Sequence, residues 1–167
     1  MEIWQIILIA LFIYLASIGS IIGNTLGWYN LGRPLVAALV VGLIMGDVQT
    51  AMIVGIPLQI MTPGGAVAWD LSYATYIGVA AAITFGTGLG PAELTGIGVV
   101  FAGVGGLVGQ LAWNVLYALN LPLNLVASRF AKEGATSKMW IPNAALGQTM
   151  GFLGRFIPAV LLLSGMT

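Results

Sequence analysis

Residues 33–75 read RPLVAALVVGLIMGDVQTAMIVGIPLQIMTPGGAVAWDLSYAT. The run is apolar enough to lie in a bilayer, yet it holds two of the chain's five acids, Asp47 and Asp70. Pro34 suits the first turn of a helix, where its missing N–H is not needed. Apolar residues continue to Met45, Gly46-Asp47 intervenes, and a second apolar run follows from Val48 to Met61. Each half is shorter than the ~20 residues that cross ~30 Å of hydrocarbon. Asp47 is therefore either the turn and helix cap between two short helices or a buried functional acid, which costs about 2.5–3.5 kcal/mol at the bilayer centre. From Gly55 to Asp70 the chain carries Gly55, Pro57, Pro63, Gly64 and Gly65, residues an uninterrupted helix avoids. At membrane depth a broken backbone is tolerated where protein or a water-filled cavity satisfies it, and transporters use such breaks as substrate sites. Gln59, Thr62, Trp69, Asp70, Ser72, Tyr73 and Thr75 flank the break. Carboxylate, amide and hydroxyl groups pair with the hydroxyls of a polyol, and an aromatic face covers its C–H side. The bland reading of 62–72 is a surface loop.

Composition supports the membrane reading. Charged residues make up 6% and hydrophobic residues 59%, and the mean hydropathy is +1.04, a balance without the mixed-charge surface of a soluble domain. Five basic and five acidic residues cancel, which leaves no basic surface for nucleic acid. The absence of Cys and His excludes thiol redox chemistry, histidine general bases and phosphohistidine carriage within these residues, and no metal or cofactor is expected.

Outward from the central stretch, Ile3 to Gly23 reads as a retained spanning helix with no basic n-region or cleavage site of a signal peptide. Its small residues Ala16, Ser17, Gly19, Ser20 and Gly23 would let a neighbour approach closely. Asn24 to Gly32 reads as a polar turn. Leu71 to Phe85 is a further helix, ended by Gly86-Thr87-Gly88-Leu89-Gly90-Pro91, a glycine run without the Lys-Ser/Thr of a phosphate loop. Glu93 suits the positive end of the next helix. Residues 96–121 form a glycine-rich helix built for close packing, in which Gln110 and Asn114 share a face and could bond across a helix interface. After Pro122 comes the one hydrophilic tract, 128–138, with Arg129, Lys132 and Lys138. It faces the cytoplasm by the positive-inside rule. The last helix runs from about Trp140 to Ser164 and contains Arg155, which must snorkel, pair or line water. The expected fold is an all-α polytopic membrane protein, one membrane domain over 1–167, with about five spanning helices and broken or re-entrant segments near 34–70. Parity then puts the N-terminus inside, Thr167 outside and Arg33 on the external side.

Arg33-Pro34-Leu35, Gly46-Asp47 and Leu58-Gln59, followed by Gly64-Gly65-Ala66 through Asp70 to Ala74-Thr75, resemble in order and spacing the landmarks of the IIC membrane component of mannose/fructose/sorbose-type sugar phosphotransferase systems. Trp140 to Leu163 is similar to the helix after that family's cytoplasmic loop. The resemblance implies a hexose permease subunit, not an enzyme, in a bacterial cytoplasmic membrane. It implies pairing with a IID membrane subunit in a trimer of such pairs, while cytoplasmic IIA and IIB proteins relay phosphate from phosphoenolpyruvate and HPr to the sugar. Gln59, Thr62, Trp69, Asp70 and Thr75 are the implied sugar contacts, with Arg33, Asp47 and Arg155 as structural or coupling candidates. The chain departs from the family pattern in Gln59, where the motif has Glu, in a shorter stretch before Gly64, and in lacking the usual continuation beyond Thr167. A scaffold assembling through the glycine-rich 96–109 face is the alternative from another class. A small channel is disfavoured, since no ring of like charge is evident.

Overall fold

A computed structural model describes residues 1–62 and 70–167. The described residues form six α-helices, α1 Ile3–Leu15, α2 Pro34–Met45, α3 Val48–Met61, α4 Leu71–Phe85, α5 Pro91–Lys132 and α6 Gly147–Ser164. Two π-helical stretches, Gly23–Leu31 and Ile141–Leu146, and a 3₁₀ turn, Thr136–Met139, complete the secondary structure, with no strand among the described residues.

Local chemistry sets the breaks. α1 stops at Leu15 because the hydroxyls of Ser17 and Ser20 donate to the carbonyls of Tyr14 and Leu15 at 2.7 and 2.8 Å, competing with helical pairing. The expected span from Ile3 to Gly23 thus ends at Leu15, and the expected polar turn is π-helical. Gly46, at φ 79, ends α2 in the left-handed conformation open to glycine. Asp47 then caps α3 by accepting from Thr50 N–H at 3.0 Å, so the capping alternative describes its geometry.

α3 does not break at Gly55 or Pro57 but runs on to Met61. Gly55 is needed for contact, since a Cβ there would lie 2.4 Å from that of Ala38 on α2. Pro57 leaves Ile53 O without its helical donor. The Thr95 hydroxyl stands 3.5 Å from that oxygen while donating to Pro91 O at 2.8 Å. The rest of the expected break, Pro63 to Trp69, lies outside the described residues.

α4 is the central helix: every residue from Leu71 to Ala82 is buried. It meets α5 through the small residues Gly98, Ala102, Gly105 and Gly109, spaced 4, 3 and 4 apart as one helical face requires. A Cβ at Gly109 would stand 2.6 Å from that of Asp70, and one at Gly105 would stand 2.8 Å from Tyr73 O. Gly98, Gly105 and Gly109 therefore pack within the chain, while Gly96 of the same stretch stays open. Gln110 and Asn114 bond to one another at 3.3 Å on the exposed side rather than to another helix.

α5 runs through Pro122 and Arg129 to Lys132, well past the expected end at residue 121. Its 42 residues rise about 62 Å, roughly twice the hydrocarbon thickness. By length and composition, two helices among the described residues, α5 and the run Thr136–Ser164, are able to cross a membrane, or three if Thr25–Leu31 and Pro34–Met45, bent by 89°, count as one. α1, α3 and α4 are apolar but shorter. Beside the expectation of about five spanning helices and broken segments near 34–70, the described residues hold two long helices and a layer of short apolar ones.

The charges sort along the long axis. Glu2, Asp47 and Glu93 lie where α1, α3 and α5 begin, at one end of the molecule. Arg129, Lys132 and Lys138, with Glu133, lie at the far end of α5, and Arg33 opens α2 at its end away from Asp47. Tyr14, late in α1, meets Gln148 and Phe152, early in α6. The two helices are thus antiparallel and bring Met1 and Thr167 to the acidic end, opposite the 128–138 tract.

Candidate functional site

Asp70 opens α4 and Arg155 sits midway along α6. The carboxylate accepts from Tyr73 N–H at 3.2 Å and from the Ser72 hydroxyl, capping the helix. Its other oxygen takes a charge-assisted hydrogen bond from Arg155 Nη2, which also stands 3.0 Å from Ser72 Oγ. Arg155 is 1% exposed, and its guanidinium lies 5.2 Å from the Tyr73 ring centre and 5.6 Å from that of Trp113. Two aromatic faces and one carboxylate thus replace the water a cation would otherwise need. Pro158 distorts α6 beside this point, and the Tyr73 hydroxyl donates to Arg155 O. Arg155 Nε and Nη1 remain buried without a hydrogen-bond partner among the described residues.

Arg155 forms the floor of a cavity of about 310 Å³ between α5, α6 and the turn at Gly19. Trp113, Tyr117, Asn120 and Asn124 line one wall from α5, and Asn143, Gly147 and Gln148 line the other. Spacings of 4, 3 and 4 put the α5 set on a single face. Asn143 comes from the π-helical stretch, whose wider turn resets the register of the side chains leading into α6, a use of π geometry common at functional sites. Gln148 Oε1 accepts from the Tyr14 hydroxyl at 3.1 Å, which fixes that amide with its NH₂ unspent. The side chains of Asn120, Asn124 and Asn143 make no hydrogen bond among the described residues. The cavity therefore offers three amides able to donate and accept and two aromatic rings, above a guanidinium whose Nε and Nη1 are buried. It suits an uncharged, hydroxyl-rich molecule, since the Arg155 charge is already balanced by Asp70.

Of the residues singled out in the sequence, Asp70 and Arg155 come together. Thr62 and Thr75 line a separate small cavity of about 50 Å³ with Leu58, Leu71 and Val99, where Thr75 Oγ1 is buried and unpartnered among the described residues. Gln59 is half-buried on α3 and lines neither space. Trp69 lies outside the described residues. Arg33 precedes α2, and Asp47 borders a polar recess with Thr50 and Thr87 at the opposite end from Arg33. Sequence reading passed over Trp113, Tyr117, Asn120, Asn124, Asn143 and Gln148. The available signal was the repeat of polar and aromatic residues at 113, 117, 120 and 124 in an otherwise apolar helix.

The family model described as the sorbose-specific IIC component of the phosphotransferase system matches residues 3–167. The chain belongs to this IIC family. Its relatives include the mannose-specific EIIC component of Escherichia coli, 27% identical over 85% of this chain and 52% of the relative, and its Shigella flexneri counterpart with the same figures. This IIC chain thus spans about half the length of the curated relatives it matches. A chain from the cryo-EM structure of a mannose transporter in complex with a microcin superposes on 99% of it and on 64% of that chain, with a TM-score of 0.71 at 23% identity. The all-helical IIC fold is shared with that transporter, and family and apolar helices together place the chain in a membrane.

Proposed function

We propose that this IIC chain is the permease subunit of a sugar phosphotransferase system, with residues 1–167 as one membrane domain, and that the α5–α6 cavity holds a hexose-like sugar. The observation that carries the site is the unspent set of amides on Asn120, Asn124 and Asn143 around one cavity with Trp113 and Tyr117. Hydroxyls exchange hydrogen bonds with the amides, while an indole or phenol ring covers the C–H face. These groups bind and orient a sugar without reacting with it. Phosphoryl transfer belongs to IIA and IIB partners, and a IID subunit in the bacterial cytoplasmic membrane completes the permease, in a trimer of such pairs. The mannose specificity named for the Escherichia coli relative makes mannose the first ligand to try.

Titration of the chain with its IID partner, in nanodiscs, tests the site. Loss of two amide contacts in Asn120→Ala/Asn124→Ala weakens mannose binding about tenfold to thirtyfold, and Trp113→Ala weakens it about tenfold. The family landmarks instead put sugar contacts at Gln59, Thr62, Trp69, Asp70 and Thr75. If Gln59→Ala/Thr75→Val abolishes binding while the Trp113 and Asn120 variants bind normally, the sugar sits at those landmarks and not between α5 and α6.

Charge sorting supports an orientation with the Arg129–Lys138 end in the cytoplasm and the Glu2, Asp47 and Glu93 end outside. The chain has no cysteine, so single replacements report without background. In right-side-out vesicles a membrane-impermeant maleimide should label Thr167→Cys and spare Ser137→Cys until the membrane is permeabilised. The reverse pattern would overturn the orientation.

A further inference from the structure

Beside the polar cavity, on the other side of the α5–α6 seam, lies an apolar groove of about 410 Å³ lined by Ala112, Val115, Leu119, Leu153 and Ile157 among others. Among the described residues Leu116 is the one side chain that borders both spaces. It is 4% exposed and rests on bare backbone: a Cβ at Gly154 would stand 2.6 Å from Leu116 Cδ2 and 3.0 Å from Cγ. One isobutyl group seated on one glycine therefore divides a hydroxyl-binding space from a hydrocarbon-binding space. Neither α5 nor α6 offers a second layer at this point, because Gly154 has no side chain.

We propose that Leu116 is a specificity-determining residue. It confines the ligand to a compact hydroxylated ring and rejects glycosides carrying an alkyl tail. The proposal rests on the sugar reading of the cavity. Shortening Leu116 joins the two spaces, so that a ring held by the amides can pass its aglycone into the groove. Burial of about two methylenes there corresponds to about a tenfold gain in affinity.

The test is competition by methyl and butyl mannoside against bound mannose, with the chain and its IID partner in nanodiscs free of glycoside detergents. The wild-type chain should prefer methyl mannoside. Leu116→Ala should shift the butyl-to-methyl affinity ratio by about tenfold or more toward butyl. Leu116→Met, which keeps the wall, should hold the wild-type ratio. Should Leu116→Ala fail to fold, Leu116→Val should shift the ratio in the same direction by a smaller factor. An unchanged ratio, or failure of both glycosides to compete in the shortened variant while mannose still binds, overturns the role of Leu116 and leaves the sugar cavity standing. Absence of mannose binding in the wild-type chain overturns the cavity reading and this inference with it.

Discussion

Asp70→Asn destabilises the protein by about 3–5 kcal/mol. The substitution is nearly isosteric, so the loss comes from charge and not from packing. Arg155 stays behind at 1% exposure with its one ion-pair partner removed and with Nε and Nη1 already unpartnered among the described residues. Tyr73 and Trp113 supply ring faces to the cation, each worth about 0.5–2 kcal/mol, which is too little to replace a carboxylate. The cap on α4 weakens as well, although Asn is a competent capping residue, so that contribution is a few tenths of a kcal/mol. Asp70→Asn/Arg155→Met should recover most of the loss, because an unbranched apolar side chain fills the space of the guanidinium and no charge is left buried. Chemical unfolding of the four members of this cycle in detergent micelles measures the coupling. If the double variant is as unstable as Asp70→Asn, an orphaned charge is not the cause.

A single methyl group at residue 78 should cost about 3 kcal/mol, the upper part of the range for overpacking. The Cβ of Gly78→Ala would lie 2.4 Å from Gly98 O, 2.9 Å from the Ala102 Cβ and 3.1 Å from Ala102 N. Two of those atoms are backbone of α5 and cannot rotate away, so α4 and α5 must separate. Separation also moves Asp70 and Tyr73 off Gly109, and with them the floor of the cavity. The matched control is Gly96→Ala, where no atom lies within 4 Å of the new Cβ. There the gain in helix propensity dominates and stabilises by about 0.5–1 kcal/mol. Thermal unfolding of both variants under one condition is decisive: equal shifts would mean that the α4–α5 contact is not tight.

Much of the helix pattern was legible because local rules govern it. Leu71–Phe85 and the end of the last helix at Ser164 lie where apolar runs meet Gly-rich punctuation. The Gly46-Asp47 turn was legible for the same reason. Errors arose where a neighbour overrules a local rule. Pro57 and Pro122 were read as breaks, yet both lie inside helices; for Pro57, Thr95 from another element stands near the freed carbonyl. The end of α1 was read too late, because serine hydroxyls turn back on their own carbonyls. Parity assumed equal spans, whereas among the described residues α1 to α4 are short and α5 and the 136–164 run are long.

At the site, the sequence could state that Arg155 needs a partner but not which of five acids supplies it. Residues 70 and 155 are 85 positions apart, and no periodicity relates them. The sequence by itself determined that the chain is helical and belongs in a membrane, because hydropathy, rare charge and glycine-proline punctuation act residue by residue. Only the tertiary structure decided that α4 threads the centre, that Asp70 neutralises Arg155, and that Asn120, Asn124 and Asn143 share one cavity. Those outcomes depend on how closely two helices can approach, and that distance is set by the glycines of one helix meeting the side chains of another.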